Sequence, residues 1–475
     1  MSERKIIIGL EVHVQLNTKS KIFCSCSTDY NVEPNSHVCE ICLGMPGTKP
    51  SFNREVFLKA IKAGIALNCK FPSMTFFSRK SYFYPDMSKN FQITQYEIPL
   101  SKDGFMIVNS NGKEKKIRIR RMHIEEDPAK LIHESKDISS SKYTLVDYNR
   151  AGIPLIEIVT EPDFNSLEEV KDFFGKLTSI LEHLGIYDSD KFVMKADVNV
   201  NVEGAKRVEV KNVTGIKSIE RVINFEVMRQ NTMLNQGMIL EQETRHFDEA
   251  GGTTKKLRTK ETEAGYGYIF EPNLVWYDIS SELINKIKKQ MPELPAERIE
   301  KFIKKYKIEK EIAYSLVYVD KNLADFFEEC TKSVKDTVFL ANFTSTDLLK
   351  SLNFEKTKIK NSKINSKNYT ELIKMTETGK ITPRLAKEII KQMVKTGKPA
   401  KSFLSKGFKV ITSVKESDKI IVKIIKSNKK AVEDYTHGNE KALDFLVGIS
   451  LKESNFKLKP DEIREKLKEI LSKNS

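Results

Sequence analysis

Four of the six cysteines, Cys24, Cys26, Cys39 and Cys42, follow the pattern C-x-C, twelve residues, C-x-x-C. Two close pairs that meet across a loop suit a tetrahedral thiolate shell, which points to zinc. His37 lies just outside and could substitute for a thiolate. Four sulfurs complete the shell and leave no position for an activated water, so the expected metal is structural and pins Ser25 to Leu43. Disulfides or unrelated buried thiols are the competing explanations. The isolation of Cys69 and Cys330, and the direct run from Met1 to Lys5 into an apolar strand without a secretory h-region, count against them.

A second group of residues offers oxygen-rich chemistry. Leu10, Val12, Val14 and Leu16 alternate with Glu11, His13 and Gln15. Residues two apart on a strand lie about 6.6 Å apart and point the same way, so Glu11 and His13 share a surface. Met194 to Val202 repeats the pattern, with Lys195, Asp197, Asn199 and Asn201 opposite the apolar positions. In Lys116 to Asp127 the alternation slips near Arg120 and Arg121, which predicts a bulge before His123, Glu125 and Glu126. Glu157 stands alone within Ile153-Pro-Leu-Ile-Glu-Ile-Val159, where an ionised carboxylate is costly unless a cation or donor meets it. Glu11, His13, Glu125, Glu126, Glu157 and Asp197 thus make a candidate polar face on an antiparallel sheet. Carboxylates around an imidazole repel unless neutralised, and such a site suits Mg²⁺. Arg79, Lys80, Lys89, Lys130, Lys195, Lys211 and Arg245 are cations of the kind that clamp phosphates. Each residue alone is better explained as strand solvation or a structural histidine; the reading rests on several strands presenting acids on their polar sides.

The elements that must hold these groups divide the chain. Up to about Asp278 strand alternation dominates, and beyond it the apolar period is helical. Thr382 and Pro383 open one helix, Leu385, Ile389 and Met393 repeat along it, and Gly397 and Pro399 end it. The expected architecture is α+β. A catalytic domain over residues 1–290, built on a largely antiparallel sheet with flanking helices, contains the zinc segment 24–42. A middle all-α domain follows at 291–349, a Lys/Asn/Ser-rich linker at 350–367, and a mobile helical tail at 368–475. The 475 residues allow about three domains and exclude a single small module. With 39% hydrophobic and 9% aromatic residues, a globally disordered chain is excluded too. No stretch approaches the roughly 20 consecutive apolar residues of a membrane span, so the expectation is a soluble, cytoplasmic protein without a membrane partner. The net charge of +15 is carboxy-terminal: Lys350 to Lys430 holds 22 basic and 6 acidic residues, a net of +16. That is a polyanion footprint, set against the plainer reading of a solvated Lys-rich helical surface. The P-loop, Rossmann, zincin and hydrolase-elbow signatures are absent, so any ATP site is of a less common kind.

Read in order, the blocks resemble a known family, the B subunits of aspartyl/glutamyl-tRNA amidotransferases. The likeness begins with Ile8-Gly-Leu-Glu-Val-His-Val-Gln15, the four cysteines and Pro34-Asn-Ser36. It continues through Arg79-Lys-Ser-Tyr-Phe-Tyr-Pro-Asp86, Gln92, Gln95, His123-Ile-Glu-Glu-Asp127 and Lys130. Asp147 to Pro162, Asp197-Val-Asn199, Val208-Glu-Val-Lys-Asn212 and Glu243-Thr-Arg245 extend it. Leu294 to Arg298, Ala341-Asn-Phe343 and Phe445-Leu-Val-Gly448 carry it through the helical half.

The resemblance implies an ATP-dependent ligase. In that family the B subunit phosphorylates the side-chain carboxylate of Glu on mischarged tRNA-Gln, or of Asp on mischarged tRNA-Asn, and ammonia then displaces phosphate. Ammonia is expected from a glutamine-hydrolysing A subunit, and a small C subunit is expected to complete a heterotrimer. On the same grounds Glu11, His13 and Glu126, with Glu125, Glu157 and Asp197, are expected in the Mg²⁺ and phosphate-chemistry shell. Lys80, Tyr82 and Asp86 match the loop where ammonia arrives, and the mobile tail is expected to grip tRNA. Arg79, Lys195, Lys211 and Arg245 are expected to bind nucleotide or phosphate. Two departures bear on this. Gly265-Tyr-Gly-Tyr-Ile-Phe-Glu-Pro-Asn-Leu274 lacks an Arg, two Asp and a Pro that the family pattern carries; if that Arg touches nucleotide phosphate, its role passes to Arg258 or Lys260, or nucleotide affinity falls. Lys195 stands where Arg is expected, keeping the charge but losing the bidentate fork. The competing function is a zinc-containing tRNA-binding scaffold without catalysis.

Overall fold

A computed structural model describes residues 4–29, 31–134, 141–257, 267–404, 414–437, 439–454 and 460–472. Its centre is an eight-stranded sheet. In chain order the strands are β1 (Ile6–Gln15), β2 (Ser101–Ser110), β3 (Lys113–Glu126) and β4 (Pro154–Thr160). They continue with β5 (Lys195–Val202), β6 (Val208–Thr214), β7 (Glu243–Asp248) and β8 (Thr253–Lys256). Across the sheet they run β8-β7-β6-β5-β1-β4-β3-β2. Every neighbouring pair is antiparallel except β6 with β7. The α+β class expected from the alternating strands is the one observed.

Period-two alternation decides what each side of the sheet does. Val12, Val14, Ile156, Ile158, Ala196, Val198 and Val200 are fully buried on one side. Each large apolar side chain so placed contributes about 1.5–3 kcal/mol relative to exposure. Helices pack into the same core, among them α1 (Leu167–His183), capped by the Ser166 hydroxyl accepting from Glu169 N–H, and α2 (Gly215–Asn235). Phe173, Leu177 and Leu181 of α1 recur at four-residue spacing and are fully buried. The alternation slip expected at Arg120 is present as a register shift between Ile119 and Arg121. It lets Arg118 and Arg120 pair with Asp163 and Glu161 while His123 and Glu125 keep to the opposite side from Met122 and Ile124.

The chain separates into two compact units, Met1–Pro295 and Ala296–Ser475. The second is helical among its described residues and holds two cores. One gathers Phe302, Phe327, Tyr369 and Ile389; the other gathers Ile421, Leu446, Ile463 and Leu467. The helix read from Thr382 to Gly397 is observed as Pro383–Thr396, with the Thr382 hydroxyl accepting from Leu385 N–H and Gly397 in the left-handed region at φ 73°. The polar stretch 350–367 differs from expectation. It is a packed segment, with Ile359 and Ile364 buried in the same core as Phe302 and Tyr369. Its lysines and asparagines dominate the composition, while the isoleucines do the anchoring. No described helix is long and apolar enough to cross a membrane.

This packing predicts how residues 350–367 respond to protease. A solvated linker would be cut first at Lys356, Lys360 and Lys363; the packed segment should instead resist trypsin as long as the surrounding helices do. Ile359→Ala should remove about 2–5 kcal/mol from this core and convert the segment to an early cleavage site, read by thermal unfolding and mass spectrometry of the fragments.

Candidate active site

On the polar side of the sheet, register alone assembles a charged cluster. Glu157 lies directly across from His13 on β1 and from His123 on β3. His13 Nε2 is 3.3 Å from Glu157 Oε2 and 4.0 Å from Glu125 Oε1. His123 Nε2 is 3.6 Å from Glu157 Oε2 and 3.7 Å from Glu125 Oε2. One ligand atom each from His13, Glu125 and Glu157 falls within a 4.8 Å span. Beside them, Glu11 faces Asp197 across β1 and β5, and Glu209 of β6 completes a second group of the same span. Lys211 Nζ bridges that group, 2.9 Å from Asp197 and 2.6 Å from Glu209. Asn212, in the left-handed region at φ 55°, turns its N–H onto Asp197 Oδ1 at 2.7 Å.

The electrostatics follow from crowding charge in a half-buried place. Burial raises the Glu11 carboxyl above its ordinary range, and the nearby Glu157, Asp197 and Glu209 add to that against Lys211. Burial opposes the charged form of His13, yet the hydrogen bond and charge of Glu157, with Asp197 and Glu125, outweigh it and hold the imidazole up at about 10. Glu157 moves the opposite way: burial would raise it, and His123, His13 and Arg121 together hold it well below the usual carboxylate range. Lys195, directly opposite His13 in register, is lowered by burial and by Arg150. Among the described residues the buried Asn199 Oδ1 and His123 Nδ1 have no hydrogen-bond partner. Carboxylate oxygens and an uncommitted amide oxygen are a donor set that fits a hard divalent cation, and the His13 nitrogen could join them only after losing its proton.

The cysteines also converge. One sulfur each from Cys24, Cys26, Cys39 and Cys42 lies within 4.8 Å of the others, a span compatible with a tetrahedral shell of about 2.3 Å bonds. Cys39 N–H donates to Cys42 Sγ at 3.1 Å. Hydrogen bonding from Cys24 holds the Cys42 thiol down at about 5 against burial. The four thiols form a possible metal site.

Other expected residues fall elsewhere. Glu126, expected beside Glu11 and His13, faces away from them: neighbours on a strand point to opposite sides, so it follows Ile124 to the reverse of the sheet. There Lys89 Nζ meets both its oxygens at 2.5 and 2.6 Å, and Ile93 N–H donates to it at 2.8 Å. Among the described residues, the two clusters on this face therefore contain Glu11, His13 and Asp197 with Glu125, Glu157 and Glu209, without Glu126. Arg79 is committed to Glu271 through two hydrogen bonds of 2.6 and 3.0 Å and lies over the Phe91 ring. Lys89, Glu126, Arg79 and Glu271 line a cavity of about 300 Å³ with Cys24 and Cys42. Lys80 sits opposite Gln92 and Tyr268 in a small sheet, and the Tyr82 ring lies 6.0 Å from Tyr84. Asp86 is raised by burial against Arg150, and its Oδ1 has no hydrogen-bond partner among the described residues. Arg245 is held by Glu226, Glu243 and Thr254 at the β7–β8 edge. Lys130 is on a separate two-stranded ribbon. Arg258, Lys260, Gly265, Tyr266, Ser139, Ser140 and Gly438 lie outside the described residues. Glu209 and Asn199 are site residues that the sequence reading does not single out, although their period-two spacing from Lys211 and Asp197 already puts them on the same faces.

Comparison with known proteins follows the same division. Residues 6–285 match the GatB/GatE catalytic domain, and residues 325–471 match the GatB domain. A protein of Saccharolobus solfataricus, named as the B subunit of an aspartyl/glutamyl-tRNA(Asn/Gln) amidotransferase, is 43% identical over 472 residues, covering 98% of this chain and 99% of that one. Proteins of the same name from Thermotoga maritima and Carboxydothermus hydrogenoformans are 40% and 39% identical, covering 98% and 100% of this chain and the same shares of their own lengths. With the catalytic-domain match laid across the sheet that carries both carboxylate groups, the chain belongs to the family of aspartyl/glutamyl-tRNA(Asn/Gln) amidotransferase B subunits.

Proposed function

We propose that this protein uses ATP to activate the side-chain carboxylate of Glu on mischarged tRNA-Gln, of Asp on mischarged tRNA-Asn, or of both, and then amidates it. The observation that supports this most is the pairing of His13, Glu125 and Glu157 with Glu11, Asp197 and Glu209 on one sheet face. A free carboxylate is a poor acyl donor because oxide is a poor leaving group. In the first step a carboxylate oxygen of the substrate forms a bond to the γ-phosphorus of ATP and the bond to ADP breaks. In the second, the ammonia lone pair forms the C–N bond, the C–O bond to phosphate breaks, and the proton shed by nitrogen passes to a carboxylate of this face or to the departing phosphate.

Mg²⁺ fits the two groups and, when bound, supplies positive charge to phosphate oxygens during transfer. The chain's own residues do the remaining work. Glu157, fixed as an anion by two imidazoles, orients both rings toward one point. Lys195 forms no ion pair among the described residues and is placed beside His13 to take a phosphate oxygen, whereas Lys211 balances Asp197 and Glu209. Lys80, Tyr82 and Asp86 are assigned to the arrival of ammonia. Its source is a glutamine-hydrolysing A subunit, and a small C subunit makes up the rest of the complex in the cytoplasm. Zinc in the Cys24, Cys26, Cys39 and Cys42 site is structural. The carboxy-terminal helices and the basic stretch 350–430 hold tRNA through its phosphates.

Two experiments test the reading. Glu157→Gln removes the charge that holds His13 and His123, so amide formation and ADP release with Mg²⁺ and added ammonium should fall at least about 10²-fold, with tRNA binding unchanged. Full activity in that variant, measured in the complex with its amidase partner, would remove the proposed role of this face. Affinity for tRNA should fall steeply between about 50 and about 200 mM salt, and changing Lys391, Lys395 and Lys398 to Gln should flatten the salt slope by about 0.7–0.9 for each phosphate no longer neutralised. An unaltered slope would assign the basic stretch to surface solvation.

A further inference from the structure

Lys21 is a fully buried lysine that forms no ion pair with a carboxylate among the described residues. Its ammonium donates to His37 O at 2.9 Å, to Tyr148 O at 3.1 Å and to Cys42 Sγ at 3.6 Å. All three N–H groups are therefore used, and the only one of these acceptors able to carry a full negative charge is the sulfur. Its backbone N–H donates to Cys26 O at 2.9 Å, so one residue touches both cysteine pairs. The stem lies against Gly152, where a Cβ would be in ordinary contact at 3.5 Å from Lys21 Cδ and 3.9 Å from Cys42 Cβ; it is the positive φ of 83° that suits glycine there.

Burying an ammonium is costly unless an anion answers it. Two neutral carbonyls do not supply that charge, and four protonated thiols would not either. Four thiolates around a divalent ion carry a net charge of −2, and Lys21 reduces it to −1. We infer that Lys21 is the outer-sphere counter-charge of a tetrathiolate metal centre, holding Cys42 as a metal-bound thiolate and shielding its sulfur from electrophiles. The inference rests on the zinc reading above and adds a residue to it. Outer partners of metal ligands typically change metal affinity 10–100-fold when removed, and a hydrogen bond to sulfur withdraws the electron density that makes a thiolate nucleophilic.

The test compares the unaltered chain with Lys21→Met, which keeps the volume without charge or donors, and Lys21→Gln, which keeps donors without charge. Metal content is measured first, then release to a chromophoric chelator, then iodoacetamide labelling of each cysteine by mass spectrometry. The expected result is metal release about 10–100-fold faster in Lys21→Met, intermediate in Lys21→Gln, with Cys42 labelled ahead of the other three. A folded Lys21→Met chain that retains metal and protects Cys42 as the unaltered chain does would overturn the inference and leave the zinc reading standing. A folded, unaltered chain that takes up no zinc overturns both. If neither variant folds, the unaltered chain loaded with cadmium-113 and lysine-15N decides. One lysine ammonium signal should change when cadmium-112 replaces cadmium-113, and a spectrum without such a signal would overturn the inference.

Discussion

Glu157 puts a negative charge in a strand whose neighbours Leu155, Ile156, Ile158 and Val159 are all buried. The strand can keep that charge only if both flanking strands answer it, and they do so with one imidazole each, His13 and His123, at directly opposed register positions. A slip of one residue on either side would send the histidines to the apolar face and leave the carboxylate unanswered. Register is fixed in turn from behind by Val12, Val14, Ile156, Ile158, Met122 and Ile124, all fully buried. The apolar face thus supplies the free energy, and the polar face inherits its geometry.

The same division explains which cations remain uncommitted. Glu226 of α2 is fully buried and gathers Arg229, Arg245 and Thr254, while the neighbouring Gln230 hydrogen-bonds β5 through Val202 N–H and Val200 O. Arg245 therefore closes the β7–β8 edge against the helix and has little left to offer a nucleotide. Arg79 is bound to Glu271 in the same sense. Among the described residues, Lys195 and Lys211 are the expected phosphate contacts that stand on the strands of the carboxylate face, and Lys211 already spans two acids. At Lys195 the cation sits on a flexible stem instead of in a planar fork.

Much of this is legible in the sequence because a strand writes its two faces as odd and even positions. Glu11 with His13, Asp197 on its own strand, Glu157 among apolar neighbours and the slip at Arg120 can all be read from alternation. Glu126 is the exception that obeys the same rule. Family resemblance draws Glu125 and Glu126 together, whereas the pleat parts them. Glu209 is hidden for a different reason: Asp197 is on the next strand of the same hairpin, but Glu11 lies far away in sequence, and only sheet order puts β1 on the other side of β5 from β6. In 350–367 composition misleads, because polar residues far outnumber Ile359 and Ile364, yet two buried isoleucines suffice to tie a segment into a core. The cysteine spacing is unambiguous; the lysine beneath it is not, since nothing local distinguishes the buried Lys21 from the more exposed Lys19 two residues earlier.

The cysteine knuckle is apart from the carboxylate face but braces the segments that lead to it. Ile22 N–H donates to Gly152 O at 2.9 Å and Lys21 Nζ to Tyr148 O, so the knuckle grips the turn that enters β4 two residues before Pro154 and five before Glu157. Ser88 hydroxyl donates to Cys42 O at 3.0 Å, and Gly44, at φ 66°, lies so close to Lys89 that any Cβ would collide with its side chain. Lys89 in turn is held by Glu126, at the end of the strand that carries His123 and Glu125. Two strands of the Glu157 charge network, β4 and β3, are thus tethered at their ends to one small loop. A loop of this length, with few apolar residues of its own, cannot hold such positions by burial. A metal shell held by the four cysteines would replace the missing core with four directed bonds, and the inferred pairing of Lys21 with Cys42 would answer the charge of the buried ammonium.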